Sequence, residues 1–182
     1  FRLPESVIDE EIGFITELGV ETRYNTYVPS LKALLEEDYD AVFVGSGAPK
    51  GKELKLPGRK EGDANIHIGI QWLESVAFKH LDKIGDRVLI IGVGNTAMDC
   101  CRSSLRLGAK DVKVMARKPR QFFKASEWEL EDAEAENVEI VVNHAPKRFV
   151  VEGGRLTGIL QERRDVAGGL VELLRVLHAR LG

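Results

Sequence analysis

Apolar residues recur along the chain first at helical spacing and then in short unbroken runs, and this alternation predicts an α/β protein. Ser6, followed by Asp9, Glu10 and Glu11 and by a stripe of Val7, Ile8, Ile12, Ile15 and Leu18, predicts a capped helix over 6–18 that Gly19 ends. A short strand over 20–27 comes next. Pro29-Ser30 then opens a helix carrying Leu31, Leu34 and Leu35, and residues 40–45 read as a buried strand. Residues 46–66 are rich in Gly, Pro and Lys and have no apolar period, which predicts an irregular connection between domains.

A helix over 70–80 leads to Arg87-Val-Leu-Ile-Ile91, a compact apolar run that predicts a buried strand. A glycine-rich turn, a helix reaching Leu107 and a strand over 112–116 complete a βαβ unit. Beyond a basic loop, Ser126 with Glu129 has the spacing of a capping box for a helix to about residue 136, and a strand over 138–142 follows. The runs 147–151 and 156–162 flank Glu152-Gly153-Gly154-Arg155 and predict a hairpin. Leu170, Leu173, Leu174, Leu177 and Leu181 have helical spacing, so residues 164–182 read as a helical tail. Trp72 and Phe78 share a helical stripe and are expected in the core, while the acidic run from Glu127 to Glu136 is expected to be a solvated helix face.

At 182 residues with a net charge of −3, the chain fits one domain, or one domain plus part of another, and has no bulk attraction for nucleic acid or anionic lipid. Its longest apolar runs, about five to seven residues, fall well short of the roughly 20 a membrane-spanning helix needs, which predicts a soluble protein. The opening Phe1-Arg2-Leu3-Pro4-Glu5 has neither an initiator Met nor a secretory signal and reads as a cut into a longer chain. Cys100 and Cys101 are neighbours on a helix, where a disulfide would need distortion, so they are expected to be structural thiols of a reducing, cytoplasmic compartment. The lack of a Cys-x-x-Cys pair argues against a thioredoxin-reductase-like active site in this segment. His67, His80, His144 and His178 stand singly, and no metal is assigned.

Gly92-Val93-Gly94-Asn95-Thr96-Ala97-Met98-Asp99 is the strongest chemical signal, because it lies between a buried strand and a helix. Gly92 permits a tight turn, Gly94 lets backbone amides approach a diphosphate, and Ala97 lets helix and strand pack closely. The free amides at the helix start then meet the phosphate charge. These six residues, 92–97, are the expected dinucleotide site. An NAD site places an acid at the end of the following strand, on the ribose 2′-hydroxyl. Here that strand runs into Arg117-Lys118-Pro119-Arg120, with Lys124 close behind, and Asp111 lies at its opposite end. Arg117 and Lys118, with Arg120 or Lys124, are therefore expected to hold a 2′-phosphate, so the nucleotide is NADP(H). Gly45-Ser46-Gly47-Ala48 also follows an apolar run but leads to no helix start; it reads as a strand-end turn in which Gly47 and Ala48 touch a cofactor held mainly by other residues. Asp99 either helps set the loop or neutralise the domain interface, or has a capping or solvated role.

Phe1-Arg2-Leu3-Pro4, Leu18-Gly19-Val20-Glu21, Tyr39-Asp40-Ala41-Val42, Leu56-Pro57-Gly58, Gly94-Asn95-Thr96-Ala97-Met98-Asp99-Cys100, Arg106-Leu107-Gly108-Ala109 and Arg117-Lys118 occur in the order and spacing of one family. Over residues 1–163 the chain resembles the glutamate synthase small-subunit family, whose layout is shared by the flavin portion of dihydropyrimidine dehydrogenase. The resemblance implies a Rossmann-like NAD(P)-binding domain with a parallel sheet and a β-meander at residues 66–163. Residues 1–48 would be part of a flanking FAD-binding domain and 49–65 the connection. It further implies that NADPH delivers hydride to FAD and that electrons pass to a partner protein or subunit, often through iron-sulfur clusters. The family's FAD-binding glycine turn and cluster-ligating cysteines are not among these 182 residues, so FAD is expected of the complete protein only. After Arg163 the sequence leaves the family pattern.

Three functions are compatible with the sequence. The first is the NADPH-binding portion of a flavin oxidoreductase, with no catalytic residue of its own because the cofactors carry the chemistry. The second is a stand-alone NADP(H)-binding module without turnover. A self-contained dehydrogenase ranks last, since no Tyr-x-x-x-Lys pair is present and Tyr24, Tyr27 and Tyr39 all precede the nucleotide fold.

Overall fold

The computed structural model describes residues 3–37, 39–164 and 170–176. The chain divides into two compact units, residues 1–46 and 47–182. In the first, α1 (Glu5–Thr16) and α2 (Leu31–Leu35) form where the apolar spacing places them, and the Ser30 hydroxyl accepts the Ala33 amide at 3.3 Å as an N-cap. Neither helix buries a residue. The strands expected at 20–27 and 40–45 are not formed. A strand needs a ladder to satisfy its amides, and this unit has no other strand among the described residues. Phe43, expected inside, is 94% exposed.

The second unit contains the βαβ pattern. After α3 (Gly69–Ala77), the strands β1 (Arg87–Ile91), β2 (Asp111–Met115) and β3 (Glu139–Val141) pair in parallel, in the order β1-β2-β3. Helix α4 (Asn95–Arg106) joins β1 to β2, and α5 (Glu127–Ala135) joins β2 to β3. The period of two along β1 divides its side chains between two cores. Val88 and Ile90 pack with Met98, Cys101, Val114, Leu130 and Ala133, whereas Leu89 and Ile91 pack with Met115, Phe149 and Ile159. The parallel sheet is thus covered by helices on one face and, on the other, by an antiparallel β-meander.

That meander consists of β4 (His144–Glu152), β5 (Arg155–Arg164) and β6 (Leu170–Val176), paired in that order, with the expected hairpin turning at Gly153-Gly154. Residues Leu170–Val176 form a strand, not the helix their leucine spacing predicts. The free edge of β5 offers a row of unpaired backbone groups, and pairing there overrides a helical pattern only about two turns long. The remainder of the expected tail helix, residues 165–169 and 177–182, lies outside the described residues.

The connection before α3 is anchored to the meander. The Phe149 amide donates to the Pro57 carbonyl at 2.9 Å, and Gly58 has a φ of +82°, a conformation costly for any residue with a Cβ. A Cβ at Gly58 would lie 2.3 Å from the Phe149 carbonyl oxygen. Gly58→Ala is therefore expected to cost about 2 kcal/mol. Urea denaturation checks this, and a loss under about 0.5 kcal/mol would show that the connection shifts freely.

Trp72 is buried on α3 as expected, but Phe78 is 68% exposed because α3 ends at Ala77, before the stripe reaches it. Ser126 is the N-cap residue of α5, yet its side chain makes no cap bond. The expected capping box is therefore replaced by a tertiary contact, described below.

Candidate functional site

Gly92 leaves β1 with a φ of +123°, and its amide donates to the Met115 carbonyl of β2 at 3.0 Å. This positive φ permits the sharp turn from strand into helix, as expected of that glycine. Gly94 is the N-cap of α4, with no side chain bonded over the helix start. Its carbonyl accepts the Ala97 and Met98 amides at 2.9 and 3.2 Å, and among the described residues the Asn95 and Thr96 amides have no backbone acceptor. Space beyond Gly94 is open: a Cβ built there meets nothing within 4 Å. Ala97 is buried in the helix-side core, and Asn95 and Thr96 are exposed. The turn thus presents unpaired donors at the positive end of a 12-residue helix, with room before them for an anion.

The basic loop leaves the same end of the sheet. In the β1–β2 register Ile91 pairs with Met115, so Arg117 and Lys118 emerge beside the glycine-rich turn, while Asp111 pairs with Arg87 at the far end. Ala116 is fixed between strands, its amide donating to the Val141 carbonyl at 2.8 Å and its carbonyl accepting the His144 amide at 2.9 Å. Arg117, Lys118 and Lys124 are exposed. Lys118 Nζ stands 5.1 Å from the centre of the Phe122 ring, a cation–π contact that steadies it within the loop. Arg120, a sequence candidate for phosphate, is instead engaged by Glu134 and Glu127, whose hydrogen bonds raise its pKa further and tie the loop to α5. The Val93 carbonyl accepts both the Lys124 and Ala125 amides, and Asn95 Oδ1 accepts the Ser126 amide. Residues 92–97 and 117–124 are thereby brought together.

Gly47 and Ala48 are exposed at the start of the second unit, and residues 47–56 form neither helix nor strand. Among the described residues no hydrogen bond joins them to the glycine-rich turn. Burial pushes the Cys100 thiol up to about 12 and the Cys101 thiol up to about 11, so neither is a thiolate at neutral pH. Among the described residues no cluster of His, Cys, Asp and Glu has metal-binding geometry, and no helix is long and apolar enough to cross a membrane.

Two features beside the site escaped the sequence reading. Arg102 of α4, nine-tenths buried, faces Asp132 at 2.8 Å, Glu136 at 2.8 Å and Glu129 at 3.8 Å, and Arg106 joins Glu136 at 2.8 Å. The acidic run is thus not simply a solvated face: Glu129 is buried, and Asp132 and Glu136 clamp α5 to α4. An arginine at i and i+4 on one helix, opposite an acid series spaced three to four apart on the next, was the signal available. The second feature is a cavity of about 490 Å³ lined by Glu53, Arg59, Asp63, His67, Gln71 and Trp72, where Arg59 pairs with both acids.

Residues 12–174 match the model of the pyridine nucleotide-disulphide oxidoreductases. The chain belongs to that family. The match to this broader family extends past Arg163 through the first five residues of β6. Among the chain's relatives, the NADP(+)-dependent formate dehydrogenase subunit beta of Moorella thermoacetica is 35% identical over 87% of the chain and 23% of its own length. The glutamate synthase [NADPH] small chain of Azospirillum brasilense is 31% identical over 92% of the chain and 38% of its own length. The chain spans well under half the length of either relative. In fold it is similar to Lactococcus lactis thioredoxin reductase, with a TM-score of 0.55 at 18% identity over 71% of this chain and 39% of that one.

Proposed function

We propose that this chain is the NADPH-binding portion of a flavin-dependent oxidoreductase of the glutamate synthase small-subunit type, which passes hydride from NADPH to FAD and electrons onward to an acceptor protein or subunit. The observation that carries the reading is the hydrogen-bonded union of an open, amide-lined helix start with a loop of exposed cations. The names of relatives similar to it, a formate dehydrogenase subunit and glutamate synthase small chain that both use NADP(H), support the same nucleotide.

The residues present fit the dinucleotide. Amides at Asn95 and Thr96, beside the side-chain-free Gly94, would take the diphosphate; Arg117, with Lys118 and Lys124, would take the ribose 2′-phosphate. When bound, the nicotinamide supplies the hydride equivalent, and what the chain contributes is alignment and charge neutralisation. For FAD the fit is lacking: residues 3–46 contain no second strand, glycine-rich turn and helix among those described, so no FAD contact is assigned beyond the proposed touch of Gly47 and Ala48.

Arg117→Ala is expected to weaken NADP(H) binding by about 1–3 kcal/mol, the scale of removing a charged hydrogen-bond partner, with little change for NAD(H). Titration calorimetry with both nucleotides checks this, and equal losses would remove the reason for choosing NADP. Flavin turnover is tested by dye reduction: protein carrying FAD should bleach with NADPH and reduce an artificial acceptor. Nucleotide-binding protein that never acquires or reduces flavin would instead favour a binding module without turnover.

A further inference from the structure

Three consecutive amides ahead of α5 donate to the glycine-rich turn and the first residue of α4. Lys124 and Ala125 donate to the Val93 carbonyl at 3.0 and 3.1 Å, an acceptor that any residue at position 93 would offer. The third bond depends on a side chain. Asn95 Oδ1, on the first residue of α4, accepts the Ser126 amide at 3.0 Å. Glu129, spaced to cap α5 in the usual way, is turned instead toward Arg102 at 3.8 Å.

We infer that Asn95 is a positioning residue for 2′-phosphate selectivity, its side chain latching the basic loop 117–126 to the start of α4. The inference rests on the nucleotide reading above. The loop's other end is held by the Ala116 bonds to Val141 and His144, and its middle by the Arg120 pairs with Glu127 and Glu134. On the remaining side Asn95 adds the side-chain bond to the two Val93 bonds, so that the cations stand at a set distance from the amides that take the diphosphate. A loop ordered before binding spares the ligand the entropy of ordering it. That advantage reaches only a ligand that uses the loop; a dinucleotide without the 2′-phosphate does not draw on it.

The test is calorimetric titration of the full chain with NADP⁺ and NAD⁺, which differ only in that phosphate, reading the ratio of the two affinities. Asn95→Ala is expected to lower the ratio by about three- to tenfold, the scale of one hydrogen bond. Ser126→Pro removes the donor at a position whose φ of −62° proline adopts, and should lower the ratio by the same factor. Combining the two should lower it no further, because both remove one bond. Asn95→Asp retains an oxygen acceptor and should restore the ratio, although its charge weakens both ligands. Equal loss for both nucleotides in Asn95→Ala, or full additivity in the double variant, would overturn the latch and leave the nucleotide site standing. If the unsubstituted chain binds neither nucleotide, the nucleotide reading is overturned and the latch with it.

Discussion

Arg102→Ala is expected to destabilise the protein by about 3–5 kcal/mol, because it removes a nine-tenths-buried guanidinium that Asp132, Glu136 and the buried Glu129 share. Removing one member of a buried pair costs far more than the net worth of the pair, since the desolvation of the survivor is no longer offset. Arg106, 40% exposed and paired with Glu136 at the rim of the cluster, should cost about 1 kcal/mol or less when replaced by alanine. The same cluster sets an acid limit. Hydrogen bonds from Arg106 and then from Arg102, with burial opposing, lower the Glu136 carboxyl from 4.5 to about 2. A carboxyl held below its unfolded value contributes stability that is complete above that value and is lost as the pH falls through the folded one. Stability should therefore be level near neutrality and decline between about pH 5 and pH 2, with a shallower decline in Arg102→Ala. Urea denaturation across that range measures both. An Arg102→Ala loss under about 1 kcal/mol, or an unaltered acid limb, would mean that α4 and α5 are held by their apolar faces alone.

What the sequence made legible follows the range of the forces involved. β1, α4 and β2 could be read because strand period, turn and helix start are set within a few residues, and the open helix start at Gly94 is as local as the motif that signals it. Asn95 and Ser126 stand 31 residues apart, as do Cys100 and Gly69, where the thiol lies 3.7 Å from a carbonyl of α3. No short window contains both partners, so Ser126 and Glu129 read as a capping box, although their true partners are on another helix. Arg120 misled for a related reason: a cation in a basic loop looks available until the acids of α5 fold against it. β6 has helical spacing in its leucines at 170, 173 and 174, while the edge of β5 that recruits the segment is invisible to any periodicity. In the first unit the apolar runs were seen correctly and their strands were not formed, since a ladder is a property of two segments and not of one.

Gly94→Asp is expected to abolish NADP(H) binding, by about a hundredfold or more, and to leave the melting temperature unchanged or slightly higher. Gly94 has φ −108° and ψ 174°, extended backbone that any residue adopts, and a Cβ there touches nothing within 4 Å. The fold therefore gives no reason for a glycine at this position. Helix capping gives a reason against it, because aspartate is the better N-cap by a few tenths of a kcal/mol and its charge complements the helix start. For a bound diphosphate the two residues differ sharply. An aspartate would accept the amides of the first turn itself and set like charge against the phosphates, at a cost of several kcal/mol. Gly94→Ala should fall between, crowding the phosphate without opposing its charge. Thermal melting and NADP⁺ titration of the same samples separate the possibilities: binding lost with the fold intact assigns the glycine to the ligand, whereas parallel loss of both would return it to packing. A residue that leaves helix stability unclaimed at a point where amides face open space is what a phosphate site requires and a purely structural turn does not.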